Sequence, residues 1–162
     1  MLSLQENVTI YSQALDHRDT RERARRQATQ LFWRVFSEGK RRQLWNSLIR
    51  RRNHLHDLGE TLQHTQVKSR HAVSLQNVNI AEIRGSEGRC QDFDAAFRPT
   101  HNRTEERWVN IATAIKLDVT LPPVELIQVG DVYYVRDGHH RISVAKSFGQ
   151  IVIEAEVIVW EI

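Results

Sequence analysis

Cysteine is nearly absent: Cys90 is the single one in 162 residues. One thiol cannot close an internal disulfide, so the chain is expected in a reducing compartment, the cytoplasm. Proline is scarce as well, and two of the three stand side by side at Pro122-Pro123. No apolar run approaches the ~20 residues that a membrane helix needs, so no membrane partner is expected. The first residues, Met1-Leu2-Ser3-Leu4-Gln5-Glu6-Asn7, show no basic region followed by an apolar core, so no secretory leader is expected either.

What the chain does carry is charge, unevenly spread. Residues 1–70 hold 14 Lys and Arg against 7 Asp and Glu, a net +7; residues 71–162 hold 9 against 13, a net −4. Such asymmetry points to two parts with different partners. We divide the sequence into a basic helical arm (1–60), a linker (61–74) and a compact domain (75–162).

From Ile10 to Phe36 there is neither Pro nor Gly, and helix formers dominate. Ala24, Ala28, Leu31 and Val35 keep helical spacing, with Phe32 and Phe36 widening the stripe. Gly39 is read as a break, and a second helix is expected from about Lys40 to Leu58 with Leu44, Trp45, Leu48, Ile49 and Leu55 on one side. The arm thus reads as a helical hairpin. Its polar positions are basic: Arg25, Arg26, Arg41, Arg42, Arg50, Arg51 and Arg52 are the candidates for nucleic-acid phosphate. The same residues also suit a solvated face, and Trp33 and Trp45 with the leucines suit a homodimer contact. Residues 59–74 are polar and read as loop.

In the second part, Ser74 to Ile83 alternates as a strand, and Arg84 to Arg89 reads as a loop. Glu105 opens a helix with Trp108, Ile111, Ala112 and Ile115 on one face. Val124 to Val129 and Val132 to Val135 form a hairpin across Gly130-Asp131. Asp137-Gly138 then hands the chain to a helix stopped by Gly149, and Ile151 to Trp160 alternates as a closing strand. The order β–α–β–β–α–β is an α+β layout.

The turn Asp137-Gly138-His139-His140-Arg141 is the stretch with chemistry in it. The first N–H groups of a helix lack internal partners and lie at the positive end of its dipole. Gly138 permits close approach of a ligand, and Arg141 carries a planar fork of donors suited to phosphate or carboxylate. An anion, most often phosphate, is the natural guest. The alternative is that Asp137 only caps the helix and the histidines are solvated. A metal reading of Asp137, His139 and His140 meets the difficulty that adjacent residues in a helical turn diverge, and no metal site is expected.

Asp137-Gly138-His139-His140-Arg141, followed by Val144-Ala145-Lys146 and Gly149, resembles the phosphate-binding box of the ParB/sulfiredoxin superfamily. Arg89-Cys90-Gln91-Asp92-Phe93-Asp94 resembles the superfamily's first box. The resemblance spans roughly Leu75 to Ile162 and implies a small mixed sheet with helices. It implies that Gly138, His139, His140, Arg141 and Arg89 hold phosphates of a nucleotide or phosphorylated small molecule, with Mg2+ and CTP or ATP as the cofactors in view. Sulfiredoxin chemistry is not expected, because His139 stands where that family has its catalytic cysteine. A partition clamp is not expected either: His139 replaces the box's Glu, and Ser143 replaces its last Arg. The box is most similar to those of bacterial ParB-like domain proteins without an assigned activity and of the superfamily's small-molecule kinases. By that analogy Asp137 would orient the acceptor or a Mg2+ ion and Glu82 would act as base. NTP hydrolysis or phosphoryl transfer is the turnover this would support. The alternative function is a DNA-associated or protein-interaction module in which the basic arm binds and the box is structural.

Overall fold

The computed structural model describes residues 4–49, 53–63, 66–71 and 73–162, with side chains from Asp16 onward except that of His17. It is an α+β fold. A long helix α1 (Leu4–Leu48) is followed by β1 (His56–Asp57), α2 (Leu58–Leu62), β2 (Ser69–Arg70), β3 (Ser74–Asn79) and β4 (Ile83–Ser86). Then come α3 (Glu105–Lys116), β5 (Val124–Val129), β6 (Val132–Asp137), α4 (His139–Ser147) and β7 (Val152–Glu161). The strands form one curled mixed sheet in the order β1-β4-β6-β5-β7-β2, with β3 also paired to β7. Pairs β1/β4, β4/β6 and β5/β7 are parallel, while β5/β6, β3/β7 and β2/β7 are antiparallel.

The hairpin expected in the arm is corrected to one helix. α1 runs unbroken for 45 residues through Gly39. A single glycine costs a helix interior only about 1 kcal/mol. Gly39 is buried, and a Cβ there would stand 3.4 Å from the Arg98 Cβ. The residue marks close packing against the Arg98-Pro99 loop rather than a helix end. The expected second helix does not reach Leu58: residues 53–57 are not helical, and 50–52 lie outside the described residues. Leu55 and Leu58 enter apolar clusters of the sheet, and Asp57 caps the short α2 by accepting from the Glu60 N–H at 3.1 Å.

The second correction concerns Arg84 to Arg89, expected as loop. Ile83–Ser86 is a strand inside the sheet, between β1 and β6. Gly85 is there because the Tyr134 ring lies across it, in the space a Cβ would need. The strand expected from Ser74 to Ile83 ends at Asn79, whose side chain caps a 3-10 turn over Ile80–Glu82, and Ile83 already belongs to β4.

Two apolar clusters matter for the site. Phe93, Phe97, Leu126, Val135, Ile142 and Val157 belong to one between the sheet and α4. Ala28, Phe32, Trp108, Val109, Ala112 and Val144 form another where α1, α3 and α4 meet. Trp108 Nε1 donates to Ser143 Oγ at 2.8 Å within this packing, fixing α3 against α4. Arg98 ties the intervening loop down. It donates to Asp94 Oδ2 at 2.8 Å and to Glu38 Oε1 of α1 at 3.0 Å.

Candidate phosphate-ligand site at the start of α4

Gly138 turns β6 into α4 with φ 102, the left-handed region that favours glycine. A Cβ here would lie 2.5 Å from Val124 Cγ1, so the position excludes a side chain on steric grounds as well. Among the described residues no side chain caps the helix, and its first intrahelical bond is Ile142 N–H to Gly138 O at 3.0 Å. The N–H groups of the first turn are without a capping side-chain oxygen.

His139 and His140 are both buried, not solvated. Ser86 Oγ accepts from the backbone N–H groups of Gly88 (3.2 Å) and Arg89 (2.9 Å) and lies 2.7 Å from His139 Nε2. A hydroxyl has two lone pairs and one proton. With both lone pairs in use, its proton goes to Nε2, so His139 is a neutral acceptor there and carries its own proton on Nδ1. Burial first, then the nearby Arg89 and His140, hold its pKa down to about 4. His140 is also lowered to about 4, by burial, then Arg107 and Arg89. The Phe93 ring packs against both imidazoles, at centroid distances of 6.0 and 5.1 Å. The two rings differ in one respect. His140 Nδ1 is buried and has no hydrogen-bond partner among the described residues.

Arg141 does not project freely into the site. Its Nη1 donates to Pro122 O and Pro123 O, both at 2.7 Å, and its Nη2 donates to Asp137 Oδ2 at 2.5 Å. The guanidinium fork holds the Pro-Pro segment against the helix start, with Asp137 half exposed beside it. A cleft of about 540 Å³ opens at this point, lined by Glu106, Arg107, Asn110, Leu121, Asp137 and Arg141 among others.

The expected site residues therefore fall into groups. Gly138, His139, His140, Arg141 and Asp137 are together, and Arg89 is near enough to depress both histidines. Glu82 is elsewhere. It sits at the start of β4, where Ile83 pairs with Tyr133, and its charge helps to raise the Tyr133 pKa after burial. Asp137 lies four residues further along β6, about 13 Å away at ~3.3 Å per residue. The carboxylate at the site end of β4 is instead Glu87, paired with Arg136 at 3.0 Å. Cys90 is a poor nucleophile. Its thiol is raised to about 11 by burial and Asp57, whose Oδ2 is 3.2 Å away.

In the arm, Arg25 donates to Asn110 Oδ1 of α3 at 2.6 Å. Arg26 pairs with Glu22 and Arg42 with Glu38, at 3.7 and 3.5 Å. Arg41 is exposed, and Arg50, Arg51 and Arg52 lie outside the described residues. Four contributors escaped the sequence reading: Ser86, Phe93 as a partner of the histidines, Arg107, and the Pro122-Pro123 carbonyls. Ser86 and the proline carbonyls act through tertiary contacts that leave no spacing signal. Arg107 could have been found one residue before Trp108, whose packing sets the face that α3 turns to α4.

No protein-family model and no curated protein sequence matches the chain. Among solved structures, the chain is similar to sulfiredoxin from Arabidopsis thaliana, at 18% identity and a TM-score of 0.40, over 52% of this chain and 83% of that one.

Proposed function

We propose that the start of α4 binds the phosphate groups of a nucleotide or of another phosphorylated small molecule. The observation that carries this reading is His140 Nδ1, a buried polar atom without a partner among the described residues, at the first turn of an uncapped helix. Leaving such a group unpaired costs about 1–3 kcal/mol, which a ligand oxygen would offset. The backbone N–H groups and the helix dipole favour an anion at that point. Arg89 and Arg107 supply full positive charge. Arg141 has a different part: it braces the Pro122-Pro123 wall and orients Asp137, keeping Nε–H and one further Nη2–H for a ligand.

The ParB/sulfiredoxin-like wording of Asp137-Gly138-His139-His140-Arg141 agrees with this reading, and a nucleotide is the ligand class that resemblance implies. Among the described residues no group of three His, Cys, Asp or Glu could hold a metal. Mg2+ would therefore depend on ligand phosphates for most of its coordination, with Asp137 the carboxylate at the mouth. Asp137 is also placed to orient an attacking hydroxyl or water, so hydrolysis and phosphoryl transfer are the turnovers to assay once a ligand is found.

Thermal unfolding against CTP, ATP, GTP and ADP, with and without Mg2+, tests the reading. A ligand at 100 times its Kd stabilises by ~2.7 kcal/mol. The Arg89→Ala/Arg107→Ala double variant should keep its unliganded Tm and lose the shift. Arg141→Ala is the wrong probe, since it should lower the unliganded Tm by itself. If no nucleotide shifts the Tm of the native chain, the nucleotide form of the proposal is abandoned.

A further inference from the structure

The outer face of α1 carries a pattern of its own, independent of the α4 site. Between Arg23 and Ile49 the sequence holds seven cations and one acid, a net +6. That acid, Glu38, is engaged by the domain, accepting from Arg98 at 3.0 Å. The domain covers α1 along Ala24, Ala28 and Phe32, which are buried. Arg26, Trp33, Arg34, Lys40, Arg41 and Trp45 are exposed. At 3.6 residues per turn these six span an arc of about 140°, centred roughly opposite the buried row. Two aromatic rings thus stand among the charges: Trp33 is 43% exposed and Trp45 65%. Trp33 is not a loose side chain. Its Nε1 donates to Glu105 Oε1 of α3 at 3.1 Å, and Phe32 and Phe36 each pack edge-on with it at a centroid distance of 5.6 Å. An indole fixed in place yet left partly in water offers ring surface to a partner at little entropic cost.

We propose that this face binds single-stranded nucleic acid, its cations holding phosphates and Trp33 and Trp45 stacking on bases. Attraction to a polyanion and sequence-tolerant base stacking are the two contributions that such binding combines. The two tryptophans are 12 residues apart in sequence, about 18 Å along the axis, with Arg34, Lys40 and Arg41 between them. A strand laid along α1 meets ring, charge and ring in turn. A duplex keeps its bases stacked on one another and could use only the charges. A lipid surface or a second copy needs a continuous apolar face. Between Arg26 and Arg42 the only large apolar side chain that is exposed is Trp33, and Gln27, Gln30 and Ser37 share the surface with the cations.

Fluorescence anisotropy of labelled oligo(dT), oligo(dA) and their duplex, titrated with the full chain, tests the assignment. The single strands should bind more tightly than the duplex. Log K should fall against log salt with a slope of about −3, for four phosphate contacts at about −0.7 each. Arg34→Ala/Lys40→Ala/Arg41→Ala should keep the native Tm and reduce the slope to about −0.7. Trp45→Leu, which keeps apolar bulk but not the ring, should weaken single-strand binding about tenfold and leave duplex binding unchanged. A preference for the duplex, or native affinity in Trp45→Leu, overturns the proposal. So does a chain that binds no oligonucleotide at low salt and instead dimerises or sediments with phosphatidylserine vesicles.

Discussion

The corner where β6 meets α4 and the helix α1 use their residues in opposite ways. At the corner almost every polar group is committed. Ser86 spends both lone pairs and its proton, Arg141 spends three N–H groups on two proline carbonyls and Asp137, and Gly138 has no room for a methyl group. α1 is committed on one side only. Ala24, Ala28 and Phe32 are in the core, while Trp33, Leu44 and Trp45 are exposed. One buried atom, His140 Nδ1, has no partner among the described residues and is conspicuous against the first background.

Substitutions should separate the two sides of α1 and the two regions. The largest effect is expected from Phe32→Ala on the inner row, since Phe32 is fully buried against Trp108. A loss of about 3–5 kcal/mol is expected in chemical denaturation. A loss below about 1 kcal/mol would mean that α1 is not part of the domain core.

Acid should act next, through the histidines. Both have folded pKa values lowered from 6.5 to about 4. Between those values the unfolded chain binds more protons than the folded one. Stability is therefore fully present above pH ~6.5, falls as the pH drops toward 4, and levels off below it. The expected loss is a few kcal/mol, seen as a falling Tm over that window. His140→Phe should flatten part of the slope; an unchanged slope would mean that His140 is not buried neutral.

Ser86→Ala should cost about 1–2 kcal/mol by leaving the buried His139 Nε2 and the part-buried N–H groups of Gly88 and Arg89 short of a partner. Nitrogen-15 shifts of the His139 ring should report the changed tautomer balance. The smallest effect is expected on the outer side of α1. Trp45→Gln, at a residue 65% exposed, should change stability by less than about 0.5 kcal/mol.

The elements with clean apolar periodicity were legible beforehand: α3 from Trp108, Ile111, Ala112 and Ile115, the β5/β6 hairpin, α4 and β7. Two glycines misled in the same manner. Gly39 and Gly85 read as breaks, yet each sits inside a regular element because another chain segment passes close to it. Local rules treat glycine as a matter of φ, whereas at these positions it is a matter of space. The candidate site was legible as a strand–turn–helix with His139, His140 and Arg141 in its first turn. Their states were not, because burial of the imidazoles and capture of Arg141 by Pro122 and Pro123 depend on residues 18 to 53 positions away in sequence.

The amino-acid sequence by itself determined the turns at Gly130-Asp131 and Asp137-Gly138 and the apolar faces of α3 and β7, since these follow from spacing and from the conformational limits of Gly. It also determined the charge imbalance between the two halves, which no folding can alter. Tertiary structure alone decided that α1 passes through Gly39, that Ser86 makes His139 a neutral acceptor, and that Arg141 is a brace. Each of these outcomes depends on which distant group occupies the few ångströms around one atom.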